Sequence, residues 1–182
     1  MIRNFIYALG CVLIILFTSA AHPLERLAWE DDLKLTWSDF KGRGQSIDGF
    51  AASSSTGISQ SYEIDGEGYL NKPETVVTAH FYPEFSWYQR RDTSDHLLGH
   101  ERAHFDITEI HARKLRRRIH EFNFTSNSKV EIQSLYKQVE KQRQAMQQQF
   151  DLETNHSRNH SQEAAWHQVI HKMLKKYGVY NK

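Results

Sequence analysis

Hydrophobic and polar positions change rhythm along this chain, and each rhythm predicts a different material. Phe5 to Phe17 is an apolar run, with Arg3 before it and small residues at Ser19 and Ala21 after it. That is short for a membrane span and has the layout of an export signal. Residues 1–21 are therefore expected to be a cleaved signal peptide of a secreted or periplasmic protein, with no membrane attachment after cleavage; an uncleaved anchor is the alternative. From His22 to Tyr88 the rhythm alternates. "LKLTWSDF" brings Leu33, Leu35 and Trp37 to one side, and "TVVTAHFY" (Thr75 to Tyr82) is β-branched and aromatic. Between them lies an extended polar stretch with a turn at Asp65-Gly66. This half is expected to hold three or four antiparallel strands, ended by Pro83 and the polar "QRRDTSD".

Beyond Ser94 the period becomes helical. A first helix is expected from Asp95 to Glu121, capped by Asp92 or Ser94. A second opens at Ser128-Lys129-Val130-Glu131, which reads as a capping box, and carries Ile132, Leu135, Tyr136, Val139, Met146 and Phe150 at three- and four-residue spacing. Its Gln-rich "KQRQAMQQQ" reads as an exposed helix face. "DLETNHSRNHS" interrupts the stripe as a polar loop. A third helix, capped by Ser161, follows with Trp166, Val169, Ile170, Met173, Leu174 and Tyr177, and ends at Gly178. Strands first and helices afterwards imply an α+β domain rather than βαβ units. Residues 22–182 are expected to form one domain, β-rich over 22–90 and helical over 91–182.

Composition adds exclusions. A 182-residue chain with 39% hydrophobic residues can bury a sizeable core, and a formal net charge of +1 gives no basis for nucleic-acid binding. The basic run Arg113 to Arg118 falls late in the first helix, where it is expected to be a solvated end complementing the helix dipole. Cys11, the single cysteine, sits in the apolar run, so the exported chain would rest on its core or on a bound metal.

The chemistry gathers in "HLLGHERAHFD" (His96 to Asp106). His100 and His104 stand four apart on one helix face, able to share one ion, and Glu101 is one step round the helix, able to act as general base. Leu97, Leu98, Phe105, Ile107 and Ile110 would bury the helix around them. His96 and His111 lie near the same face and read as satisfied or solvated histidines. Asp106 and Glu109 lie on another face. Glu109 is spaced to pair with Arg113, and both carboxylates are candidates to support a ligand imidazole from the second layer. A catalytic zinc keeps three protein ligands, so a third must come from elsewhere. The loop after the second helix offers Asp151, Glu153, His156 and His160.

The chain resembles a family of predicted secreted zinc-dependent proteases of bacteria, long carried as a domain of unknown function. The stretches that carry the resemblance are "LTWSDFKG" (Leu35 to Gly42), "FSW" (Phe85 to Trp87), "LLGHERAHFDITEIHAR" (Leu97 to Arg113) and "FDLETNHS", with Trp166 beyond. The resemblance implies His156 as third ligand and Asp151 as its second-layer partner. The chain departs from the family pattern at Phe150, commonly tyrosine, Ser157, commonly glycine, and Arg102, commonly glutamine.

Taken together, the expected protein is a zincin-like metallohydrolase binding one Zn²⁺ per chain. It would act on a peptide or protein, with His100, His104 and His156 holding zinc and Glu101 activating water. The Ala51 to Gln60 stretch is a candidate edge strand for an extended peptide, or an ordinary polar sheet edge. The rival readings are a non-catalytic exported binding domain with a structural zinc, and a hydrolase of another amide such as a cell-wall peptide link.

Overall fold

The computed structural model describes residues 24–44, 50–91 and 93–181. The expected signal segment, Cys11 and the alternative cap Asp92 lie outside them. The elements run β1 (Leu27–Ala28), β2 (Ala52–Ser53), β3 (Thr56–Ile64), β4 (Leu70–Phe81), β5 (Trp87–Tyr88), α1 (Asp95–Glu121), α2 (Ser128–Thr154) and α3 (His160–Lys176), with short 3₁₀ turns between. This is an α+β arrangement with an N-terminal antiparallel sheet followed by three helices. No helix of the described residues is long and apolar enough to cross a membrane.

The sheet has order β1-β4-β3, and β2 pairs with β5 as a separate ribbon. Period-two patterning explains β4: Val77, Ala79 and Phe81 are buried while Val76 is 56% exposed. The β3–β4 turn is closed by Asp65, whose Oδ1 accepts from the amides of Glu67 and Tyr69. Gly68 follows at φ +93, and a Cβ there would lie 2.2 Å from the Ser126 carbonyl, so only glycine fits.

"LKLTWSDF" is not a strand. The Thr36 amide and hydroxyl both donate to Asp39 Oδ2 (2.6 and 2.9 Å), closing a 3₁₀ turn over Trp37–Asp39. Such local side-chain bonds compete with the ladder and divert the alternation. Trp37 and Phe40 instead stack with Tyr88 and Phe81, at centroid distances of 4.9 and 5.0 Å.

α1 is the central element. Ser94 caps it, accepting from the Leu97 amide, and its bounds are those the periodicity predicts. One side packs on the sheet and α2 through Leu98, Phe105 and Leu115, and the other side on α2 and α3 through Ile107 and Ile110. Its buried His111 donates Nδ1–H to the Ile107 carbonyl (2.8 Å), and burial pushes its pKa down to about 4, so it stands as a neutral core histidine.

The basic run of α1 is a solvated end only in part: the Arg117 side chain is 43% exposed and pairs with Glu121, whereas Arg113 and Arg116 turn inward. Arg113 is 3% exposed, bonds Glu109 Oε1 (2.9 Å) and the Leu174 carbonyl, and lies over the Trp29 ring. Arg116 bonds Glu109 and the carbonyls of Val77 and Tyr180. These guanidiniums clamp α1 to β4 and to the C-terminal segment.

α2 also departs from expectation at its start. Asn127 is its N-cap, while the Ser128 hydroxyl donates to the Gly68 carbonyl (2.6 Å) and Glu131 accepts from Thr125, so the capping box does not form. A contact to the hairpin turn replaces the local one. In α3, Asn159 rather than Ser161 is the cap, accepting from the Gln162 amide. Val169 is 45% exposed and outside that helix's apolar stripe.

Candidate metal centre

Helical spacing places His100 and His104 on consecutive turns of α1, both buried and in edge-on ring contact at 5.0 Å. The third member comes from α2, which runs through the predicted loop to Thr154. Phe150 and Thr154 continue its buried stripe, and the Thr154 hydroxyl bonds the Phe150 carbonyl. Asp151 therefore stands on the last turn of α2, not in a loop. Its Oδ1 is 3.2 Å from His100 Nε2 and 3.0 Å from His104 Nε2. Among the described residues, His100, His104 and Asp151 form a group able to hold a metal ion, with potential ligand atoms all within 4.8 Å.

His156 follows on a turn of left-handed residues, Asn155, His156 and Ser157, at φ 47, 50 and 67. The His156 amide closes this turn on the Asp151 carbonyl (2.9 Å). The turn brings Nδ1 of His156 to 3.9 Å from Asp151 Oδ1, with the side chain 44% exposed. Ser157, where glycine is common in the resembled family, occupies backbone space that favours glycine.

His160 opens α3 and stacks on His96 at 3.8 Å, and Glu153 turns away to accept from Trp166 Nε1 (2.7 Å). The structure gives the other two candidate carboxylates different partners. Asp106 accepts from Trp29 Nε1 (2.8 Å), and Glu109 is held by Arg113 and Arg116 (2.9 Å each).

Two neighbours of the imidazoles were not read from the sequence. Gln147 Oε1 is 3.1 Å from His104 Nδ1. Glu163, on the first turn of α3, is fully buried with Oε2 3.5 Å from His100 Nδ1. Phe150 packs against the imidazoles, its ring stacked on His100 at 4.5 Å and edge-on to Trp166 at 5.6 Å. Arg102, on the far side of α1, bonds the Leu35 carbonyl (2.7 Å) and ties "LTWSDFKG" to the histidine helix.

A cleft of about 950 Å³ opens over this group. Its lining includes Ser53, Ser54, Arg158, His160 and Glu101 together with the two histidines. Glu101 is 3% exposed, and its Oε2 has no hydrogen-bond partner among the described residues. The predicted polar stretch from Ala51 to Gln60 divides here. β2 and Ser54 border the cleft, and the Ser54 hydroxyl donates to the Glu101 carbonyl (3.3 Å). β3 instead lies under α2, with the Ile58 carbonyl taken by the Tyr136 hydroxyl (3.0 Å).

The electrostatics are those of opposite charges packed together in a largely buried group. Burial disfavours the charged form of His100, but Asp151, Glu163 and Glu101 outweigh it and hold its pKa up to about 9. Asp151 is likewise opposed by burial, yet His100 and His104 hold its carboxyl well below the ordinary carboxylate range. Burial would raise Glu163 too, but His100 and His167 bring it down to about 2. The group thus holds charge that a cation could take over.

Compared with known proteins, no curated protein and no solved structure matches this chain. A family model described as "Bacterial protein of unknown function (DUF922)" matches residues 38–157. That segment covers more than half of the 182 residues and contains α1, Asp151 and His156. The chain belongs to the bacterial family of unknown function DUF922.

Proposed function

We propose that the cleft is the active site of an exported, zincin-like zinc hydrolase that cleaves amide bonds, most naturally those of a peptide or protein. The residues present fit the ion. Two imidazole nitrogens and a carboxylate oxygen lie within 4.8 Å of one another, a donor mixture and number that catalytic zinc takes, and the cleft leaves one side open. His100 and His104 would hold it with Asp151 as the third donor. His156, 3.9 Å from the same carboxylate oxygen and marked by the resemblance, competes for that place. Bound there, zinc supplies Lewis acidity toward water and toward a substrate carbonyl.

The single observation that carries the reading is Glu101. A carboxylate buried at 3% exposure with an oxygen lacking a hydrogen bond is costly, and a structural metal site has no use for one beside its ligands. Lining the cleft, Glu101 would accept a proton from water as the attack on the carbonyl proceeds, then return it to the leaving amine. An extended substrate would lie along β2 and Ser54, which border the cleft.

Glu101→Gln keeps size and helix preference but cannot take a proton. Screening peptide and cell-wall substrates with zinc-loaded protein identifies a turnover to follow. The variant should keep zinc and lose at least ~10²-fold in turnover, the lower end for a positioned base. Equal turnover by variant and wild type overturns the mechanism. Loss of zinc or thermal stability without any wild-type turnover favours a structural metal in a binding domain.

A further inference from the structure

Glu163 is a carboxylate on the first turn of α3 that the proposed mechanism does not use. It is fully buried, yet neither carboxylate oxygen has a hydrogen-bond partner among the described residues. What surrounds it is imidazole. Oε2 lies 3.3 Å from His96 Nε2 and 3.5 Å from His100 Nδ1, and Oε1 lies 3.8 Å from His167 Nε2. His100 Nδ1 likewise has no hydrogen-bond partner. The position on the first turn of α3 favours an anion there, through the helix dipole.

The consequence concerns the tautomer of His100. A neutral imidazole carries one N–H, and the partner of one ring nitrogen decides which face is left to donate a lone pair. Nε2 of His100 faces Asp151 at 3.2 Å, so the ring can serve the metal group only if its proton is kept on Nδ1. The carboxylate on that side is Glu163, with Oε2 3.5 Å from Nδ1. The same oxygen also neighbours His96, whose Nε2 is 3.1 Å from the Ser157 carbonyl in the turn that presents His156. One carboxylate thus touches the ligand helix directly and the His156 turn through His96.

We propose that Glu163 is a positioning residue for the metal centre, fixing the Nδ1–H tautomer and ring orientation of His100 from α3. The proposal rests on the zinc reading above, and it assigns a role to a residue beyond the segment that the family model matches.

The test compares wild type, Glu163→Ala and Glu163→Gln by competition for zinc against a chelator of known affinity. Melting curves in excess chelator check that each variant folds. Glu163→Ala should bind zinc 10- to 100-fold more weakly, the range for removing an acceptor behind a ligand histidine. Glu163→Gln preserves volume and can still accept Nδ1–H through its amide oxygen, so it should recover most of that loss. In NMR of the zinc-loaded protein, the His100 Nδ1 proton should be protected from exchange in wild type and Glu163→Gln, and exchange fast in Glu163→Ala. If all three bind zinc equally and the proton is unaffected, the positioning role is wrong although the metal reading stands. If wild type itself binds no zinc, the underlying reading has failed instead.

Discussion

Asp151 and His156 are five positions apart, and the end of α2 falls between them, so each reaches the histidine pair from a different backbone. Asp151 is fixed on a helical turn with its oxygen 3.0 and 3.2 Å from the two Nε2 atoms. His156 stands on a left-handed turn, edge-on to the Phe50 ring at 4.9 Å, and is 44% exposed in its side chain. Zinc affinity measured on Asp151→Ala and His156→Ala ranks them: Asp151→Ala should lose the larger share. The reverse order would return the third place to His156. The same turn carries a residue-scale strain. Ser157 sits at φ 67, where a non-glycine side chain costs roughly 1–2 kcal/mol, and its buried hydroxyl has no hydrogen-bond partner. Glycine gives back part of the gain through its freer unfolded chain. Ser157→Gly should raise stability by about 1 kcal/mol in chemical denaturation, and a loss would show that the serine makes a contact worth more than its strain. Residue identity made His100, Glu101 and His104 legible, because their spacing within one helix is a local property. Gln147 and Glu163 were not legible, because each meets its imidazole only through the packing of a different helix.

Among the elements, α1 has the bounds its pattern predicts, since its cap and its apolar stripe agree. β4 takes in the predicted β-branched run, with Val77, Ala79 and Phe81 alternating inward. The failures share a cause as well. Ser128 and Glu131 have the spacing of a capping box, but the hairpin turn at Gly68 competes for the serine hydroxyl. "DLETN" looks polar enough for a loop, yet only Phe150 and Thr154 need to face inward for α2 to continue, and Leu152 is left 80% exposed. The basic run of α1 looks solvated because its partners, the Val77 carbonyl and the C-terminal segment, are distant in sequence. That clamp gives an element-scale prediction. Glu109 is 1% exposed between Arg113 and Arg116, so Glu109→Ala leaves two guanidiniums without their shared carboxylate. Urea unfolding in excess chelator should report a loss of about 3–5 kcal/mol, the range for breaking a buried pair from one side. A loss below about 1 kcal/mol would mean the carbonyl partners alone satisfy the arginines.

At the scale of the whole molecule, three helices and the β2 border meet at a group that no single element could form. α1 brings two imidazoles and a carboxylate, α2 brings Asp151, α3 brings Glu163, and the β2 border supplies one wall of the cleft. The α+β order was legible from the change of hydrophobic period. The convergence was not, because it depends on how α2 and α3 pack on α1. The central claim is that this convergence exists to hold a metal. Its most direct measurement is the metal content of the purified protein after exhaustive dialysis, read by elemental analysis. Wild type should retain about one zinc per chain, the number a single three-ligand site holds, and His100→Ala should retain none. A wild type that retains no transition metal, or a His100→Ala variant that retains as much as wild type, would contradict the account.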